Sequence, residues 1–327
     1  MENRTLPKLD LNITNRCNLR CTHCAFNSGT HKMPELSLKQ LETILQETKE
    51  IGGKRFDITG GEPLVREDVP EIITAGNRLG YRIELVTNGI MLDSGRLKEF
   101  RQRGLNQIAI SLDGSTPEAY NRIRRSTEET FYRVLDNIRK CKEFGFYTKI
   151  NTLASSLNLD DLVNITELAL NLGANEQGFY YFTPIGRGQN KDELVIDPIE
   201  WLSYVRTKLR DYSKSGMKIG VEIPLRERDA EQSEKGCIAN SERSHLQILP
   251  DGNVYPCAIL AAYERPLANL NTHSIKEIWK NERLWVEYWA SISPIFDRCD
   301  GHCVKIPSTN ERYEAICPLR KWETFEV

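Results

Sequence analysis

Asn12-Ile13-Thr14-Asn15-Arg16-Cys17-Asn18-Leu19-Arg20-Cys21-Thr22-His23-Cys24 leaves a short β-type run that starts at Lys8 and sets three thiols, spaced C-x3-C-x2-C, in one loop. Thiolates are the preferred ligands of iron–sulfur clusters, and cysteines this close together wrap one cluster locally. A cubane has four irons, so three local cysteines leave one iron open, which is how a metal centre does chemistry instead of only holding a fold. The alternative is a tetrahedral structural zinc site. That usually shows two C-x2-C pairs or histidines at a suitable offset, and His23 between Cys21 and Cys24 makes a cramped set.

Outward from this loop, short β-branched or apolar runs alternate with longer amphipathic segments as far as Gly188, the pattern of βα units around a parallel sheet. Strands are predicted over Lys8–Thr14, Arg55–Thr59, Arg82–Thr87, Gln107–Leu112, Thr148–Leu153 and Gly178–Pro184. Helices are predicted over Ser37–Ile51, Val69–Leu79, Asp93–Arg103, Phe131–Phe144 and Leu159–Leu172, the last with Leu162, Ile165, Leu168, Ala169 and Leu172 at buried-stripe spacing. The expected fold is α/β: a partial (β/α)6 TIM-like barrel whose strand C-termini share one face, where loop residues collect into a site. Residues 1–190 form this barrel, 191–235 a bridging helical segment, with a further helix expected over Pro198 to Asp211, and 236–327 a small cysteine-rich β-hairpin/α unit. The hairpin is signalled by Pro250-Asp251-Gly252-Asn253 between two β-type runs.

The loops after the strands hold the other candidate site residues. Thr59-Gly60-Gly61-Glu62-Pro63 has two glycines that let the backbone come close to a ligand, and Glu62 offers a carboxylate to an ammonium. Thr87-Asn88-Gly89 and Ser111-Leu112-Asp113-Gly114 place small polar groups at strand ends; each alone reads as a turn. The second cysteine set is Cys237, Cys257, Cys299, Cys303 and Cys317. A hairpin centred on Gly252 brings Cys237 toward Cys257, and the turn at 300–302 lets Cys299 and Cys303 approach from the other side. Four-cysteine zinc has similar needs and stays open as an alternative here.

C-x3-C-x2-C after the first strand, with these motifs following in order, resembles the radical S-adenosylmethionine (AdoMet) superfamily. The C-x14-G-x4-C element from Cys237 to Cys257 resembles the twitch and SPASM domains that carry auxiliary 4Fe–4S clusters. The resemblance implies that Cys17, Cys21 and Cys24 hold the radical-generating 4Fe–4S cluster and that AdoMet chelates its open iron. It implies AdoMet contacts from Gly60, Gly61, Glu62 and Pro63 (the GGEP motif), from Asn88, from Ser111 and Asp113, and from Arg124 at the start of the next helix, with Asn151 at the ribose and Arg187 near the ligand. With five cysteines where a full SPASM domain has seven, one auxiliary cluster is expected, on Cys237, Cys257 and Cys303 with Cys299 or Cys317 as fourth ligand; a leftover cysteine is a candidate hydrogen-atom donor. A flavodoxin or ferredoxin-type protein is the implied electron donor.

Composition removes other partners. A formal charge of −2 with interspersed signs offers no positive field for a phosphate backbone, and the basic run Arg122-Ile123-Arg124-Arg125 reads as a solvated helix start. No window reaches the roughly 18 apolar residues of a membrane span and no signal peptide opens the chain, so a cytoplasmic protein is expected. Nine cysteines there point to metal or catalysis rather than disulfides; Cys141 stands alone as an inert helix residue. The expected activity is hydrogen abstraction from a substrate C–H bond. Modification of a peptide by oxidation, crosslinking or epimerisation comes first, although a first strand at Lys8 leaves no room ahead of it for a leader-binding domain. A small-molecule reaction on a sugar, an aminoglycoside or a tetrapyrrole side chain comes second, and a non-enzymatic metal-binding protein third. No catalytic acid or base is named, though Glu222 and Asp229 precede Cys237 as candidates whose ordinary place is the surface.

Overall fold

The computed structural model describes residues 5–227, 243–292, 312–315 and 322–325. Strand β1 (Lys8–Asn12) enters the cysteine loop, which leads to helix α1 (Leu38–Glu50). Alternation continues through β2 (Arg55–Thr59), α2 (Val69–Arg78), β3 (Arg82–Thr87), α3 (Ser94–Gln102), β4 (Gln107–Ser111), α4 (Pro117–Arg124), α5 (Glu128–Glu143), β5 (Tyr147–Ala154), α6 (Leu162–Asn171) and β6 (Glu176–Tyr181). Local chemistry sets the helix starts. Ser37 and Gln40 cap α1 reciprocally, while the side chains of Asp93, Thr116 and Thr127 accept the free N–H groups opening α3, α4 and α5.

Two additions change the expected six-unit barrel. After α7 (Pro198–Tyr204), strand β7 (Lys218–Glu222) joins β6 in parallel, so part of the segment read as a bridge lies in the sheet, and β1 to β7 form a parallel array in chain order. The array then continues at both edges. Beyond β8 (Leu225–Glu227), the expected hairpin forms from β9 (His245–Ile248) and β10 (Asn253–Tyr255), and β9 pairs in parallel with β1 from Lys8↔His245 to Leu11↔Ile248. Helix α8 (Ala258–Ala262), strand β11 (Ala268–Asn269) and helices α9 (Ile275–Lys280) and α10 (Glu282–Ile292) follow. Strand β12 (Tyr313–Ala315) pairs with β8, and β13 (Trp322–Phe325) lies antiparallel to β7. Among the described residues the main sheet has eleven strands in the order β11-β10-β9-β1-β2-β3-β4-β5-β6-β7-β13.

Each strand of the array sends apolar side chains outward to the helices, as with Leu9 and Leu11, Phe56 and Ile58, Leu85, Ile108 and Ile110, Ile150, Phe179, and Ile219 and Val221. The inner face is polar. At its lower end Lys8 bonds Asp10 at 2.8 Å and Asp57 at 2.9 Å, Arg55 bridges Asp57 at 2.8 Å and Glu84 at 3.0 Å, and Lys149 holds Glu176 at 3.0 Å. Buried charges persist only when paired and hydrogen-bonded, and this network closes the lower half of the barrel. A ligand is left with the upper half, where the loops are.

Candidate active site

The cysteine loop is held from three sides. From β2, Gly61 N–H donates to the Thr14 carbonyl at 2.8 Å and Glu62 N–H to the Arg16 carbonyl at 2.9 Å. A Cβ at Gly60 would stand 2.5 Å from the Thr14 carbonyl oxygen, and one at Gly61 would stand 2.4 Å from that of Arg16, so the glycine pair serves the approach of two loops. From the end of α4, the Ile123 carbonyl accepts from Thr22 N–H at 2.9 Å and Arg125 donates to Thr22 Oγ1 at 3.3 Å. From the loop after β6, the Arg187 guanidinium donates to the carbonyls of Cys21 (2.9 Å) and Ser28 (2.7 Å) and to Asn27 Oδ1 (3.2 Å), and its backbone N–H donates to the Cys24 carbonyl at 2.9 Å. Gly186 permits this contact, because a Cβ there would lie 2.1 Å from the Ala25 carbonyl oxygen.

Each of the three sulfurs accepts a hydrogen bond: Cys17 from Leu19 N–H at 3.4 Å, Cys24 from Ser28 N–H at 3.3 Å, and Cys21 from Arg124 Nη1 at 3.8 Å. Such donors stabilise a thiolate and tune a bound cluster. Cys141, buried in α5, shows no such bond, as fits an inert helix residue. Burial pushes the Cys17 thiol up to about 11 and that of Cys21 upward against the opposing pull of Arg124; metal ligation displaces those protons. Among the described residues no three His, Cys, Asp or Glu side chains are grouped to hold one metal ion. Cluster ligands each take a different iron, so the loop suits a cluster better than mononuclear zinc.

The three cysteines line a cavity of about 190 Å³ together with Gly60, Gly61, Asn88, Ser111, Arg124 and Arg187. His23 lines it too, whereas Glu62, Pro63 and Asp113 stand behind this wall. Glu62 is fully buried and spends its carboxylate on the protein: Oε1 accepts from Leu64 N–H (3.1 Å) and Thr87 Oγ1 (2.7 Å), and Oε2 from Asn88 N–H (2.8 Å). Glu62 thus ties the loops after β2 and β3 together, and Pro63 starts a buried 3-10 turn behind it. Asp113 is buried beside Arg124, Oδ2 to Nε at 2.5 Å, and accepts from Leu153 N–H at 2.8 Å. Arg124 ends α4 where a helix start was expected; within the basic run Arg122 and Arg125 are exposed, as a solvated face requires, but Arg124 is buried against Cys21 and Arg125 also reaches Thr22 of the cysteine loop. His23 sits 3.8 Å from Asp113, and burial holds its imidazole down to about 4, hence neutral. Asn151, on the inner face of β5, keeps a buried Oδ1 that accepts no hydrogen bond.

Of the second cysteine set, Cys237, Cys299, Cys303 and Cys317 lie outside the described residues, as does Asp229. Cys257 caps α8, and its Sγ accepts from Leu260 N–H at 3.5 Å. Between the hairpin and the cysteine loop lies a cavity of about 520 Å³ with polar walls that include Asn27, His31, Gln189 and Asp251. Glu222, for which a surface position was expected, is instead buried at the end of β7, because its side chain faces the inner wall of the barrel. No described helix is long and apolar enough to cross a membrane.

Comparison with known proteins places this geometry. The family model described as "Radical SAM superfamily" matches residues 11–169, and that described as "Iron-sulfur cluster-binding domain" (SPASM) matches residues 237–303. The AdoMet-dependent heme synthase of Methanosarcina barkeri is 28% identical over 292 residues, 84% of this chain and 82% of that protein. Two solved structures share the fold. Streptococcus suis SuiB bound to S-adenosylmethionine has a TM-score of 0.73 at 14% identity, covering 87% of this chain and 68% of that one; anSMEcpe with bound AdoMet has a TM-score of 0.70 at 16% identity, covering 97% and 91%. SuiB is also known bound to precursor peptide SuiA, and anSMEcpe to the Cp18Cys peptide. With AdoMet, a 4Fe–4S cluster and an auxiliary cluster as its cofactors, the chain belongs to the radical SAM superfamily of enzymes, in the branch that carries a SPASM iron–sulfur domain.

Proposed function

We propose that Cys17, Cys21 and Cys24 hold the radical-generating cluster and that AdoMet lies in the cavity they line, against Gly60, Gly61, Asn88, Ser111 and Arg124. The observation that carries this is the convergence of three hydrogen-bonded sulfurs, a glycine pair and a buried arginine on one cavity at the upper ends of β1 to β4. With the cluster and AdoMet bound, the site would supply radical chemistry for abstracting hydrogen from a substrate C–H bond, the electron coming from a flavodoxin or ferredoxin-type donor. The guanidinium of Arg124 suits the AdoMet carboxylate through its fork of donors, with Asp113 fixing its angle. Glu62, Pro63 and Asp113 act by positioning the wall, and Arg187 by fixing the cysteine loop. Cys257, Cys237 and Cys303 are assigned to one auxiliary cluster, with Cys299 or Cys317 as fourth ligand. Replacing Cys17, Cys21 or Cys24 singly by Ala is expected to abolish 5′-deoxyadenosine release, while C141A leaves it intact.

The substrate proposed is a peptide, modified at a side chain or α-carbon. Supporting this is the charge on the inner wall. The cations Lys8, Arg55 and Lys149 are already held by Asp10, Asp57, Glu84 and Glu176, and above them stand Tyr180 and Glu222. With its cations already paired, this wall turns its unspent acceptor, the Glu222 carboxylate, toward side chains that donate hydrogen bonds. The heme synthase relative favours a second reading, modification of a tetrapyrrole side chain. Anaerobic turnover with deuterated candidates separates the two: deuterium in 5′-deoxyadenosine from a peptide supports the first, and from a tetrapyrrole the second.

A further inference from the structure

The inner wall changes character across β5, β6 and β7. Strand register sets Lys149, Glu176 and Lys218 in one row, Asn151, Gly178 and Gly220 in the next, and Leu153 and Tyr180 in the row above. Glu222 follows Gly220 by two residues and so faces the same side. The middle row carries two glycines side by side, so no side chain leaves the wall there. Beside it stand two acceptors, the Asn151 amide oxygen and the Glu222 carboxylate, with the Lys149 ammonium one row below. Asn151 Oδ1 is buried and accepts no hydrogen bond. Glu222 is 5% exposed, and its Oε2 accepts from Tyr181 N–H at 2.9 Å; among the described residues nothing donates to Oε1. Its backbone carbonyl is fixed by the Trp201 indole at 2.8 Å. The wall already accommodates one ammonium: Lys149 Nζ lies 5.8 Å from the Tyr180 ring centroid. One strand away, Ser111 pairs in register with Asn151 and lines the cavity of the cysteine loop.

We infer that Glu222, Tyr180 and Asn151, over the floor left by Gly178 and Gly220, form a substrate subsite that takes an alkylammonium side chain beside the AdoMet cavity. This rests on the peptide reading above. A carboxylate and an aromatic face recognise an ammonium together, and once Glu222 is ionised the subsite excludes carboxylates by the same charge. Burial pushes the Glu222 carboxyl up to about 8, with Tyr181 N–H and Lys149 opposing. The groups facing it are Lys149 from β5 and the Tyr180 phenol from β6, the latter within reach of Glu84; α7 presents the uncharged Trp201, and β13 meets Glu222 through its backbone. Near neutral pH the empty subsite therefore holds a proton, and an incoming ammonium releases it.

The test uses the full chain with clusters reconstituted and AdoMet bound, and short capped peptides of glycine with a central lysine, norleucine or glutamate. Calorimetry in two buffers of different ionisation heat reads affinity and proton release together. Expected at about pH 8.5 is a preference of roughly tenfold for the lysine over the norleucine peptide, with weaker binding of the glutamate peptide, and about one proton released near pH 7. E222Q should erase both the preference and the proton release, and E222D should retain part of each; cluster content and circular dichroism establish that the variants fold. Peptides that bind without preference, or a preference unchanged in E222Q, overturn the subsite. If no peptide binds, butylammonium decides: lowering the pH at which the infrared band of the Glu222 carboxyl titrates upholds the subsite and sinks the peptide reading, and no shift sinks the subsite itself.

Discussion

Arg124, from the end of α4, and Arg187, from the loop after β6, both reach the cysteine loop and do different work there. Arg124 puts its charge on Cys21 Sγ and the cavity, whereas Arg187 spends its fork on the carbonyls of Cys21 and Ser28. Groups that orient a metal's ligands cost about 10- to 100-fold in metal affinity when removed. R187Q is therefore expected to lose iron by that order when reconstituted protein is challenged with a chelator, and to alter the electron paramagnetic resonance signal of the reduced cluster. R187K should rescue little, since one ammonium cannot span the carbonyls that the fork reaches. Glu222 leads to a prediction on stability. Its carboxyl is raised from 4.5 to about 8 by burial, so between those values the folded protein holds a proton that the unfolded chain has lost. Stability from this group is full below about pH 4.5 and falls as pH rises toward 8, by up to about 1.4 kcal/mol per pH unit. Urea titrations from about pH 5 to 8 should show a smaller decline in E222Q than in the parent.

At the scale of elements, the site is a meeting of loops whose spacing is set by residues without side chains. Gly61 carries the carbonyl of Arg16 where a methyl would stand. G61A forces the β2 loop and the cysteine loop apart, and it is expected to cost about 1–3 kcal/mol in denaturant unfolding and to lower iron retention. G95A, at the start of α3, where a Cβ would meet only Asp93 Oδ1 at 3.1 Å, serves as control with iron retention unchanged. The boundaries of β2 and β3 are those the sequence indicated, because their apolar and β-branched runs end in Gly-Gly and Asn-Gly. Helix α4 escaped notice because Pro117–Arg124 has only eight residues and one apolar pair, Tyr120 and Ile123, facing the core. Strand β7 escaped because Lys218-Ile219-Gly220-Val221-Glu222 reads as a charged, glycine-interrupted run, and its charged ends lie on the inner wall.

For the whole molecule, the hairpin of the C-terminal region is part of the same sheet as the barrel, through β9 on the edge of β1. Removing residues from 243 onward would leave β1 an open edge, with Leu246 and Ile248 gone from its flank. Size-exclusion chromatography of that truncation should show aggregates where the full chain elutes as a defined species. The same pairing brings Gln247 onto Asp10 and Asn12, next to the strand that enters the cysteine loop. What the sequence determined by itself is the order of βα units and the cysteine loop that opens the site. Periodicity and close spacing are local properties, and a cluster loop is local chemistry. Only the tertiary structure decided that β9 meets β1, that Glu62 turns away from the cavity, that Arg187 holds the loop, and that Glu222 is buried. Each depends on partners far along the chain, such as Lys8 with His245 or Cys21 with Arg187. The cost of burying a charge, and hence its role, is fixed by the groups that come to face it.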